Sequence, residues 1–184
     1  MSQRLIIRAG GALVGCAALL VPVGAGAHGP TRQKVVQSVD IAAPPEAVWA
    51  VAGNFHDMSW DPAVTATAGD GGNTVNSLRT LTLKSGGQIT ESLERYEAAQ
   101  FTYGTFLPHN DPKVLPVSNF STVLTVSSAG GGTSTVQWRA AAYRGDPNND
   151  PPPELNDEAA VAAMNNYLRT GLDGLKQKIE SSPH

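Results

Sequence analysis

Residues 54–64 read Asn-Phe-His-Asp-Met-Ser-Trp-Asp-Pro-Ala-Val, which places an imidazole, His56, and two carboxylates, Asp57 and Asp61, in one short segment. A His–Asp pair can act as a general base with its orienting partner if both side chains converge on one reacting atom. His56 and Asp57 are sequence neighbours, and on a helix their side chains point about 100° apart. No serine motif or cysteine offers a nucleophile nearby. The large apolar residues Phe55, Met58, Trp60 and Val64 interleave with the polar ones, and Pro62 restricts Asp61 to extended backbone. The segment is therefore expected to be a corner of the fold, with Phe55 and Trp60 packed under a sheet edge. A catalytic cluster would instead need His56 and Asp61 to face one cavity within hydrogen-bond reach.

Glu91 is the second ionisable residue of interest. By strand alternation it shares a face with Ile89 and Leu93, and Arg79 shares one with Leu81 and Leu83. If Ser85-Gly86-Gly87 is a three-residue hairpin loop, Leu81 faces Glu91 and Arg79 is its diagonal neighbour. Such a pair is either a satisfied structural pair at a cavity mouth, the preferred reading, or a polar anchor for a ligand. Trp138 alternates with Val136, Ala140 and Ala142, so small residues flank it. Gly171 and Gly174 interrupt the last helix at a cost to its stability, which close packing would explain.

Two metal readings are weak. His28, if it became the N-terminus, could chelate copper through its imidazole and α-amine, but the second histidine, His56 or His109, is a guess. Asp146-x-Asn148-x-Asp150 imitates the start of a calcium loop, yet Pro151 stands where that loop needs glycine. No metal and no cofactor are expected.

The elements that must position these residues follow from pattern. Arg4 and Arg8, an apolar run and the ending Ala25-Gly26-Ala27 read as a secretory signal over 1–27, with residues 28–184 as one exported, periplasmic domain. A membrane anchor, or lipidation at Cys16 within Leu13-Val14-Gly15-Cys16, are the alternatives. Cleavage after Ala27 leaves 157 of the 184 residues, with no cysteine, and 11 basic against 16 acidic residues, a net charge of −5. Thiol chemistry is then excluded, and nucleic acid or an anionic membrane surface is disfavoured.

Val35, Gln37, Val39 and Ile41 alternate as a half-buried strand. Pro44-Pro45-Glu46 opens a short helix, and 54–62 is expected to form a second. Turn signals at 69–72, 85–87, 97–99, 108–116 and 130–132 separate six further strands into an antiparallel meander. The Pro-rich acidic loop 145–156 leads to a helix of about twenty residues capped by Asn156, its apolar stripe formed by Val161, Met164, Leu168, Leu172, Leu175 and Ile179. Laying that helix across the concave sheet buries both apolar faces and leaves a cavity. The expected class is α+β.

This order resembles the START-like, or SRPBCC, superfamily with its helix-grip fold. The resemblance rests on Val35–Ile41, Pro44/Pro45 with Val48-Trp49, Phe55 with Trp60, Pro62 and Val64, Arg79 and Leu81 with Gly87, Ile89, Glu91 and Leu93, and Gly171-Leu172 with Leu175. His28-Gly29-Pro30-Thr31 and Tyr143-Arg144 before the Pro-rich loop look like MxaD-type periplasmic proteins. That likeness implies an accessory role in methanol oxidation, at the encounter of methanol dehydrogenase with its cytochrome c. Asp146, Asp150, Glu154 and Asp157 are then the expected partner contacts. A carrier of a small apolar ligand, held around Trp60, Arg79, Glu91, Trp138, Met164 and Leu168, is the second expectation. A polyketide cyclase- or hydrolase-like enzyme is the third, disfavoured because no nucleophile and base converge in the sequence.

Overall fold

The computed structural model of the chain describes residues 29–108 and 110–181. The expected signal segment, Cys16, His28 and His109 lie outside them. Seven strands, β1 (Gln33–Ile41), β2 (Val64–Gly69), β3 (Leu78–Leu83), β4 (Gln88–Glu97), β5 (Thr102–Leu107), β6 (Val117–Gly130) and β7 (Thr133–Arg144), form one antiparallel sheet in the order β1-β7-β6-β5-β4-β3-β2. Helix α1 (Pro45–Ala52) follows β1, and α2 (Asp157–Glu180) ends the described chain. The helix-grip arrangement expected from the sequence is the one observed. No helix among the described residues is long and apolar enough to cross a membrane.

Local chemistry sets the element ends. Pro45 and Glu46 open α1, and Asn156 caps α2 by accepting the Ala159 amide at 2.8 Å. Met164, Leu168, Leu172, Leu175 and Ile179 are buried along one face of α2 and Val161 is partly buried, so the stripe packs into the sheet.

Two expectations are corrected. The first is the second short helix: residues 54–62 form successive turns instead, with Asp57 N donating to Asn54 O and Asp61 N to Met58 O. The cause is side-chain competition. Asn54, Asp57 and Asp61 each accept the amide two residues on, from His56, Ser59 and Ala63, which offers the backbone an alternative to helix. The second is the register of the β3–β4 hairpin. Leu83 N donates to Gly87 O, so the loop is Lys84-Ser85-Gly86, and Arg79 stands directly opposite Glu91 with Leu81 opposite Ile89. Gly86 and Gly87, at φ +99° and +81°, adopt backbone that other residues rarely take. The shift is by two residues, so every side chain keeps its expected face.

The two rims of the sheet differ. Along β1, α2 answers the outward backbone: Lys176 Nζ donates to Asp40 O at 2.5 Å, Arg169 Nη2 to Ser38 O at 3.4 Å, and Glu180 accepts Ala42 N at 2.9 Å. Among the described residues strand β2 pairs only with β3, and it carries neither charge nor proline in its six residues.

Candidate functional site

The corner expected at 54–62 seals one end of the molecule. Phe55, Met58 and Trp60 are buried. Asn73 Oδ1 accepts Phe55 N at 2.8 Å, and Tyr96 joins this tie through Asn73 Nδ2 and Gly53 O, both at 2.9 Å. Above Trp60, α2 lies so close that a Cβ on Gly171 would meet Trp138 Cζ3 at 2.6 Å and Asp61 Oδ2 at 3.0 Å. One on Gly174 would meet Pro62 Cδ at 2.3 Å. Close packing is thus the reason for both glycines.

His56 and Asp61 do not form a catalytic pair. The His56 Nε2 atom is 3.1 Å from Leu78 O, while Asp61 turns inward and is 1% exposed. Its Oδ1 holds the Ala63 amide at 2.8 Å and its Oδ2 has no partner. Burial pushes the Asp61 carboxyl above its ordinary value, against the Ala63 amide and the Arg79 charge.

Arg79 and Glu91 lie deep, not at a cavity mouth: they are 1% and 2% exposed. Glu91 Oε1 accepts from Arg79 Nε at 2.7 Å and faces Nη2 at 2.6 Å, and Arg79 Nη1 donates to Phe55 O at 2.5 Å. The guanidinium also lies over the Phe55 ring, 4.4 Å from its centroid. Burial is the largest influence on Arg79 and opposes its charge, but Glu91 together with Tyr103 and Tyr167 outweighs it and holds that charge on above the ordinary range. This geometry ties the corner to the sheet, which is a structural role.

Around the pair lies a group of buried polar atoms without hydrogen-bond partners among the described residues: Trp60 Nε1, Asp61 Oδ2, Tyr103 Oη, Trp138 Nε1 and Tyr167 Oη. Trp60 contacts Trp138 at 5.7 Å between centroids, and Trp138 contacts Tyr167 at 5.4 Å. Burial pushes the Tyr167 hydroxyl well above its ordinary value, and the Glu91 charge adds to it. Tyr103 is raised by burial while Arg79 opposes.

Tyr167 is also part of the wall of a surface cleft of about 180 Å³. Ala63, Leu83, Val114, Leu115 and Ala163 supply apolar wall; Ser85, Asn166 and Thr170 supply polar edge. The expected cavity residues Trp60, Arg79, Glu91, Trp138, Met164 and Leu168 are all buried behind this cleft rather than lining it. Sequence reading missed Tyr103 and Tyr167. Tyr167 lies three residues after Met164 and beside Leu168, which was the available signal; Tyr103 alternates with Thr105 and Leu107.

The acidic loop is stapled by Arg144, which donates through Nε to Asp146 O at 2.8 Å and through Nη2 to Asn148 O at 2.6 Å, and meets Asp157 Oδ2 at 3.3 Å. Asp146 holds Asn148 at 2.8 Å, so Asp150 and Glu154 are the two outward carboxylates of the four expected contacts. Among the described residues no group of three or more His, Cys, Asp or Glu could hold a metal.

A family profile described as "Polyketide cyclase / dehydrase and lipid transport" matches residues 32–180. The chain is similar to the structure of XoxI from Bacillus cereus, at 26% identity and a TM-score of 0.67 over 80% of this chain and 96% of that one. It is similar in fold to the aromatase/cyclase Zhui from a Streptomyces species, at 14% identity and a TM-score of 0.67 over 82% and 94% of the two chains. It is likewise similar in fold to norcoclaurine synthase from Thalictrum flavum in complex with dopamine and hydroxybenzaldehyde, at 13% identity and a TM-score of 0.64 over the whole of both chains. No curated protein matches the chain.

Proposed function

The chain belongs to the polyketide cyclase/dehydrase and lipid transport family, and from that premise we propose that it binds a small neutral molecule in the cleft against Tyr167. The observation that carries this reading is the cleft walled by Tyr167, whose hydroxyl lies buried beneath it, without a hydrogen-bond partner among the described residues and close enough to Glu91, Arg79 and Asp61 to feel their charges. An unpaired buried hydroxyl costs stability, and a ligand that enters the cleft past the Tyr167 ring and hydrogen-bonds it would recover that cost. The cleft is smaller than the 300 to 1,000 Å³, roughly, that drug-sized ligands occupy, so the ligand is of single-ring size or close to it. Among the described residues its lining carries no carboxylate, imidazole or amine, which supports binding and carriage over reaction.

Hydroxybenzaldehyde, a ligand in the norcoclaurine synthase structure, is a suitable probe. We expect it to bind saturably and to shift the Trp138 indole resonance, which abuts Tyr167. Tyr167→Phe should weaken binding up to about tenfold, the value of one neutral hydrogen bond. A flat titration, combined with no ligand co-purifying in native mass spectrometry, ends the reading.

The accessory role in methanol oxidation is a second reading, favoured by the stiff loop that presents Asp150 and Glu154 outward from its Arg144 staple. An exposed carboxylate pair on rigid backbone suits a cationic protein partner. In this reading the exported protein meets methanol dehydrogenase and cytochrome c. Asp150→Asn with Glu154→Gln should slow electron transfer between those two when the protein is present; an unchanged rate removes the proposal.

A further inference from the structure

The outer face of the sheet, away from α2, carries a groove of about 170 Å³. Its floor follows the strand register. Val36, Arg139 and Val123 lie side by side across β1, β7 and β6, and Lys34, Ala141 and Ser121 form the next row. Ala141 and Ser121 are short, so the floor dips between the rows. Val36 is 54% exposed, one of few large apolar side chains left in water among the described residues.

The charges around this dip are all of one sign. The side chains of Lys34 and Arg139 are exposed and make no hydrogen bond or ion pair with any described residue. Arg32 stands at the far end, donating to Ser121 Oγ at 2.8 Å and lying 5.5 Å from the Tyr143 ring centroid. On a chain with a net charge of −3, three cations round an apolar dip are a local reversal. An unpaired cation attracts an anion, and apolar floor attracts hydrocarbon. The two together select a molecule that carries both.

We propose that this groove binds the carboxylate of a short-chain amphiphile, its head between Lys34 and Arg139 and its tail on Val36, Val123 and Ala141. The site lies on the opposite side of the sheet from the Tyr167 cleft and is independent of what that cleft holds. A free molecule, rather than a membrane surface, is the occupant, because the chain's overall negative charge opposes a flat anionic bilayer.

The test uses octanoate below its micellar concentration, followed by amide NMR shifts, with octanol and octylamine as matched probes. Octanoate should shift Val36, Val123 and Ala141 saturably, with octanol several-fold weaker and octylamine weaker still. Lys34→Ala with Arg139→Ala, both at exposed positions, should weaken octanoate about tenfold, within the range of two solvent-exposed ion pairs. Tyr167→Phe should leave octanoate affinity unchanged. Equal binding of octanoate and octanol, shifts confined to the cleft around Tyr167, or no saturable shift at all would each overturn the proposal. So would phosphatidylglycerol vesicles that bind through Lys34 and Arg139 while octanoate does not, since the surface would then belong to a membrane.

Discussion

Arg79 and Glu91 show what a buried ion pair fixes and what it costs. The pair is nearly sealed from water, yet Arg79 also donates to Phe55 O, so it holds the corner and the sheet in one geometry. Glu91→Gln leaves a buried guanidinium without its counter-charge and should cost about 3 kcal/mol or more. Arg79→Met with Glu91→Leu removes both charges, and urea denaturation should show a smaller loss than for Glu91→Gln alone. Asp61 behaves oppositely. Its carboxyl is raised by burial, so the folded state holds the proton more tightly than the unfolded chain, whose value is near 3.8. Its contribution to stability is fully present below that value and is lost as pH rises through the raised one. Asp61→Asn keeps an oxygen for Ala63 N and carries no charge. Its urea midpoint should therefore gain on the wild type as pH climbs out of the acid range; parallel pH profiles for the two proteins would contradict the buried-carboxyl account.

At the scale of elements, the contact of α2 with the 60–62 corner depends on hydrogen atoms where side chains would stand. Alanine is favoured over glycine in a helix by about 1 kcal/mol, so Gly171→Ala and Gly174→Ala should stabilise α2 considered alone. The packed molecule reverses the sign. The new methyl of Gly174→Ala would stand 2.4 Å from the Trp60 carbonyl oxygen, a backbone atom that cannot swing aside. Overpacking of this kind costs about 1–3 kcal/mol, so thermal melting should show both variants less stable, Gly174→Ala the more so. The glycines were legible in the sequence as a packing signal because glycine in a helix demands a reason. The helix wrongly expected over 54–62 was not, because residue type alone does not show that the oxygens of Asn54, Asp57 and Asp61 each hold the amide two residues ahead. The hairpin register failed for a similar reason: two adjacent glycines leave the loop free to start at Lys84 or Ser85, and only the Leu83–Gly87 bond decides.

Across the whole molecule, strand alternation in β1, β3 and β7 and the stripe on α2 pointed to a helix laid across an antiparallel sheet, and the resemblance in element order supplied the helix-grip fold. The candidate site was less legible. Trp60, Arg79, Glu91 and Trp138 announce themselves as bulky or charged residues on apolar faces, whereas the cleft is built mainly from Ala63, Leu83, Val114 and Ala163, which carry no such mark. Distance between chain segments, not residue type, creates it. The same global view bears on the asymmetric rims. With β1 roofed by α2, β2 is the border that no second strand covers among the described residues. Two copies joined there, β2 to β2, would each use that border on the other, so pairing through it closes at two instead of propagating.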